Sequence, residues 1–191
     1  MELFQDYKPK ANSYMQPRKQ FTPLVLIYTE GKDDALLIKH IQNVYGKTFR
    51  VRMGNGSTPE LILQSCLRED GAFDKRYCVL DGDTITDLNA FQELVKLEQE
   101  KVKSKYKLIV IINNPCIEAV NLALLFHDDT GFTKPNCGEL KKRLKSQLQN
   151  LDREDYYTQH LTKAKLKQNA KLLKDQDFGI ILELLMKTGE T

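Results

Sequence analysis

Five consecutive residues, Leu108-Ile109-Val110-Ile111-Ile112, constrain this chain more than any others. The run is too short to cross a bilayer and has almost nothing polar in it. It reads as a central or doubly covered strand of a parallel sheet. Three similar stretches precede it, at 24–29, 49–53 and 77–80. Between them the apolar period lengthens to that of a helix. Leu37, Ile38, Ile41, Val44 and Tyr45 form one apolar face over 34–45, ended near Gly46. Gly54-Asn55-Gly56-Ser57 is a turn; Ser57 or Thr58 caps a second helix, Pro59 suits its first turn, and Leu61, Ile62, Ser65 and Cys66 mark its buried side. Leu88, Phe91, Leu94, Val95 and Val102 line a third helix over 87–103, and Asn113-Asn114-Pro115 opens a fourth through Glu118, Leu122, Leu125 and Phe126.

Strand and helix thus alternate four times, which predicts an α/β fold with a four-stranded parallel sheet, helices on both faces and right-handed crossovers. After His127 the pattern changes to a loop, Asp128-Asp129-Thr130-Gly131, then helical stretches near 138–150, 159–174 and 176–187. The expected organisation is an N-terminal arm at 1–21, an α/β domain at 22–127 and a helical extension at 128–191 packed on it. At 191 residues, 41% hydrophobic and 29% charged, the chain has the size for this. With no signal-peptide core and no run of membrane-spanning length, a cytoplasmic location and no membrane partner are expected.

Acids stand at two of the strand ends. Glu30-Gly31 follows the first strand and Asp81-Gly82-Asp83 the third. In an open parallel sheet the ligand crevice lies at the carboxyl ends of the strands, where the winding reverses. In the common order 2-1-3-4, strands one and three are neighbours at that point, so Glu30, Asp81 and Asp83 meet. An amide from Asn113-Asn114-Pro115 and the Glu118 carboxylate join the rim beyond strand four, and Asp34 joins it if the backbone turns into the helix at Gly31. Carboxylates gathered in a small cleft repel one another unless a cation neutralises them, and hard oxygen ligands with open positions suit Mg2+. The chemistry expected of such a site is phosphodiester cleavage or transfer. Each piece also has a plainer reading. Asp-Gly-Asp is commonly a turn, and Glu118, Asp33 and Asp34 in first helical turns stabilise helix dipoles. Lys32 reads as a surface lysine or a phosphate contact, and His127 as a helix-end residue rather than a base.

The formal net charge is only +3, yet residues 134–175 hold eleven Lys or Arg against five acids. The run Lys141-Lys142-Arg143-Leu144-Lys145 is either a solvated helix face or a contact surface for a polyanion. Cys66, Cys78, Cys116 and Cys137 are too scattered for a zinc motif and read as reduced thiols within buried elements.

The acidic motifs resemble those of the Toprim domain, which carries a Glu-Gly after its first strand and an Asp-x-Asp after its third. The likeness covers roughly residues 22–127. Within that superfamily, Thr29-Glu30-Gly31-Lys32, Val79-Leu80-Asp81-Gly82-Asp83, Asn114-Pro115-Cys116-Ile117-Glu118 and Leu124-Leu125-Phe126-His127 look most like the RloB-like group of defence- and restriction-associated proteins. The resemblance implies a Toprim-like, Rossmann-like fold. It implies Glu30 as general acid or base and metal ligand, Asp81 and Asp83 as ligands of Mg2+ or Mn2+, Asp34 as the acid four residues beyond the glutamate, and Glu118 as a further catalytic acid. The activity implied is a metal-dependent endonuclease acting on DNA or RNA, transfer RNA included, with Lys32, Lys141, Lys142, Arg143 and Lys145 guiding the strand. Such proteins serve antiphage defence beside an ABC- or AAA-type ATPase sensor. The chain has no phosphate-binding Gly-x-x-x-x-Gly-Lys-Ser/Thr loop of its own. The alternatives are a non-cleaving or strand-transferring Toprim module, or a binding or regulatory subunit of an ATPase complex.

Overall fold

Alternation along the strands divides the protein into two apolar layers. The computed structural model describes residues 24–54, 56–133, 136–148 and 152–187, so the expected arm lies outside the described residues. Strands β1 (Val25–Thr29), β2 (Arg50–Met53), β3 (Lys75–Asp81) and β4 (Lys107–Asn113) form one parallel sheet in the order β2-β1-β3-β4. Val25, Ile27, Tyr77, Val79 and Ile111 enter one layer, whereas Leu26, Cys78, Leu80 and Leu108 enter the other. This is the period-two pattern of strands covered on both sides. β4 is an edge strand rather than a central one; its apolar run reflects cover on both faces.

Helices α2 (Pro59–Arg68) and α3 (Leu88–Val102) supply Ile62, Leu63, Cys66 and Phe91 to the layer with Leu26. Leu61 and Leu88, expected on buried faces, are about half exposed, and Ser65 is exposed. The α2 face is turned so that Leu63 takes the inward place. On the opposite side, α1 (Lys32–Tyr45) and α4 (Ile117–Phe126) pack Leu37, Ile38, Ile41, Leu122 and Leu125. α4 is buried nearly all round, because the later helices cover its outer side.

Those helices depart from the expected boundaries. A short helix α5 (Thr130–Thr133) occupies part of the expected loop, and α6 spans Cys137–Gln147. The single helix expected over 159–174 is instead two. Asp152 caps α7 (Arg153–His160), Thr162 caps α8 (Lys163–Asn169), and a 3-10 turn follows at Ala170–Leu173. Each N-cap accepts a backbone N–H through its side chain; Asp152 sets the start of α7, and Thr162 fixes the break between α7 and α8. α9 (Phe178–Met186) ends the described chain. Leu144, Tyr157, Leu166, Phe178 and Ile181 belong to the same apolar cluster as α1, α4 and the sheet.

Buried polar side chains hold this outer layer in register. The Tyr157 hydroxyl donates to Asn121 Oδ1 at 2.6 Å, and Asn169 Nδ2 donates to the Leu124 carbonyl at 2.8 Å. His127, in the left-handed conformation (φ 57°) that ends α4, meets Asn169 Oδ1 through Nδ1 at 2.8 Å. His127 is therefore a helix-end residue tied to α8. Tyr157→Phe leaves a buried amide oxygen without its donor and is expected to lower stability by about 1–3 kcal/mol, read as a lower denaturation midpoint at unchanged slope.

Candidate acidic site at the carboxyl edge of the sheet

The winding reverses between β1 and β3, and the two strands deliver acids to that gap. α1 starts at Lys32, directly after Gly31, so Asp34 lies in its first turn and points back toward the sheet, where it is 2% exposed. Asp81 closes β3 at 9% exposure, and Asn113 closes β4 directly beside it. The Asn113 amide Nδ2 donates to Asp34 Oδ1 at 3.1 Å and to Asp81 Oδ1 at 3.2 Å. The Ile117 backbone N–H, at the start of α4, adds a 2.8 Å bond to the same Asp81 oxygen. Glu30 is half-buried; its Oε2 accepts from the Asp81 N–H at 3.1 Å and from the Thr84 hydroxyl at 3.2 Å. Asp34 and Asp81 thus share one asparagine, and Glu30 joins them through the Asp81 backbone.

Asp83 takes a different direction. A 3-10 turn at Gly82–Thr84 follows β3 at once, so two residues on the chain no longer faces the same way as it would in a strand. The Asp83 carboxylate is exposed and lies with the thiols of Cys116 and Cys137; the ligand atoms of these three are all within 4.8 Å of one another. Among the described residues this is the only such trio of His, Cys, Asp or Glu ligand atoms. Gly82 allows the tight turn. A Cβ there would stand 3.1 Å from the Asn113 carbonyl oxygen and 3.3 Å from that of Pro115. The Asn114–Pro115 peptide is cis, and the Pro115 carbonyl accepts the Asp83 N–H at 3.0 Å.

Glu118 is 2% exposed in the first turn of α4. Its Oε1 pairs with Arg153 at 3.4 Å, and its Oε2 is buried without a hydrogen-bond partner. Arg153 also binds Asp33 at 2.6 Å. Beside these groups opens a cavity of about 670 Å³, lined by Lys32, Glu118, Lys141, Lys145 and Arg153 among others. The basic run is therefore split by the helix. Lys141 and Lys145 face the cavity, Lys142 is exposed elsewhere on α6, and Arg143 is held by Asp128 and Thr130. The cavity lies next to Glu118 rather than over Glu30 and Asp81.

Electrostatics separate these groups. Burial, then the charge of Asp81, raises the Asp34 carboxyl well above its ordinary range. Burial also raises Asp81 to about 7, with Glu118 and Glu30 adding to the effect against the Asn113 and Ile117 hydrogen bonds. Lys141 is pushed up chiefly by Glu118, which keeps it charged. Two buried carboxyls at this edge, and the partnerless Asn113 Oδ1 and Glu118 Oε2, are what a hard cation would relieve. Glu30, Asp34 and Asp81 offer hard oxygen donors of the type Mg2+ takes, although their ligand atoms do not all lie within 4.8 Å of one another.

Fold and edge together define a parallel α/β protein with a group of acids at its switch point. Comparison with protein-family models, curated proteins and solved structures finds no match. The candidate site therefore rests on its geometry. Sequence reasoning missed the approach of Cys137 to Cys116, since a gap of 21 positions across α4 and α5 carries no local signal. It missed Asn113 as the bridge and Arg153 as the partner of two acids as well.

Between 3.8 and about 7 the folded chain holds a proton on Asp81 that the unfolded chain releases. Asp34 has the same sign. The metal-free protein should lose stability as pH rises through this window. Asp81→Asn, which keeps both accepted hydrogen bonds, should flatten that slope in thermal melts and raise the melting temperature above about pH 7.

Proposed function

We propose that the chain is a metal-dependent nuclease that cleaves phosphodiesters of DNA or RNA, with Glu30, Asp34 and Asp81 holding Mg2+ or Mn2+. The observation that carries this reading is the joining of Asp34 and Asp81 through Asn113, with Glu30 bonded to the Asp81 N–H beside them, at the β1/β3 switch point. Bound magnesium would supply positive charge for a phosphate and its leaving oxygen. Glu30 Oε2 is occupied by the Asp81 N–H and Thr84, which leaves Oε1 as the one free oxygen, either to hold the metal or, when it is not a ligand, to take a proton from an attacking water. Lys32, Lys141 and Lys145 offer charge to flanking phosphates along the adjoining cavity. Glu118, paired with Arg153, keeps Lys141 protonated and holds α4 and α7 together at the rim. The resemblance to Toprim proteins of the RloB-like group adds an ATPase partner and an antiphage setting to the proposal.

A second reading is a non-cleaving nucleic-acid-binding or regulatory subunit. It is favoured by the Asp83 carboxylate lying with two thiols instead of with Asp81.

Purified chain incubated with labelled DNA and transfer RNA, in Mg2+ or Mn2+ and then with chelator, separates the two readings. Metal-dependent cleavage is expected from the wild type, with Glu30→Ala and Asp81→Ala each reducing the rate by about a hundredfold or more while thermal melts stay cooperative. Retention of full activity in both variants would place the chemistry elsewhere. Binding without cleavage would establish the second reading.

A further inference from the structure

We propose that Asp83, Cys116 and Cys137 form a second metal site, selective for zinc, distinct from the acidic edge. Their ligand atoms lie within 4.8 Å of one another, although the residues come from three separate elements. Asp83 sits in the turn after β3, Cys116 caps the N-terminus of α4, and Cys137 is the first residue of α6. Ligands on a tetrahedral zinc are roughly 3.5–4 Å apart, so the trio is within about 1 Å of closure.

The backbone holds the three in place. The Asp83 N–H is bonded to the Pro115 carbonyl at 3.0 Å, one residue before Cys116. Asn136 fixes the start of α6 by accepting the Glu139 N–H at 3.1 Å. Cys116 is fully buried, Cys137 half-buried and Asp83 exposed, which gives the site a closed apolar side and an open polar one. Two thiolates and one carboxylate select zinc over magnesium, because soft sulfur ligands favour the softer ion. Three protein ligands with an open side leave a fourth position for solvent or an incoming group.

Without metal the thiols are protonated, since burial raises both, Cys137 to about 11. Each sulfur that binds zinc releases its proton to solvent, two per ion, with no change of oxidation state. Such a site would pin α6, which carries Lys141 and Lys145, to the turn that follows the acidic strand end.

The proposal stands without the nuclease reading, and absorption tests it rather than cleavage. The full chain, reduced and stripped with chelator, is titrated with cobalt(II). A thiolate-to-cobalt charge-transfer band is expected, saturating at one ion per chain and abolished by zinc. Cys137→Ser, at a half-buried position that tolerates the change, should remove the band, and Cys116→Ser should do the same. Asp83→Asn should weaken binding by about tenfold or more. Asp34→Asn, which alters the acidic edge away from the two thiols, should leave the band intact. Absence of the band in the reduced wild type, its survival in Cys137→Ser, or its loss in Asp34→Asn would overturn the proposal. A Cys116–Cys137 disulfide formed in air by a chain that binds no cobalt when reduced would overturn it in favour of a thiol pair.

Discussion

One side-chain amide holds together what electrostatics would drive apart. Asn113 Nδ2 stands between the carboxylates of Asp34 and Asp81, both nearly buried and both unfavourable as free anions. No cationic side chain bonds either carboxylate among the described residues. The amide is placed by the register of β4 against β3, which sets Asn113 opposite Asp81. The order of the sheet then puts Asp81 beside Glu30, and the immediate start of α1 after Gly31 turns Asp34 inward. Two buried carboxyls raised in pKa at a switch point destabilise the edge in their charged forms.

Charge around that edge is graded rather than uniform. Arg153 is spent on Asp33 and Glu118, and Arg143 on Asp128, so the cationic character of the later helices is smaller than their composition suggests. Lys141, Lys145 and Lys32 remain along the cavity. The same cavity is also lined by Asp33, Glu118, Asp152 and Glu154, so its wall mixes both signs of charge.

Strand order, helix faces and the meeting of Glu30 with Asp81 were legible because they follow from periodicity and one topological rule. Asp34 was legible for a local reason, four residues after Glu30 with only Gly31 before the helix. Asp83 was not. Its spacing from Asp81 suggests a shared face, but a 3-10 turn intervenes at Gly82, and the carbonyl oxygens of Asn113 and Pro115 crowd that turn from another strand. Cys137 and Arg153 were hidden for a similar reason, because their positions depend on how α6 and α7 fold back over α4. The break between α7 and α8 was written in Thr162, a capping residue, but the apolar spacing across it imitates one continuous helix.

The apolar cluster shared by α1, α4 and the later helices has a consequence for how the chain is assembled. α4 is buried on nearly every side, and part of its cover comes from α5, α6, α8 and the 3-10 turn at Ala170–Leu173. A chain ended at His127 would leave Leu122, Leu125 and their neighbours facing water on the helix whose first turn steadies Asp81 through Ile117. The stretch that looks in sequence like an addendum is therefore a condition for the acidic edge to exist. The unit that duplicates, is exchanged between proteins or is cut out at the bench would have to include both parts.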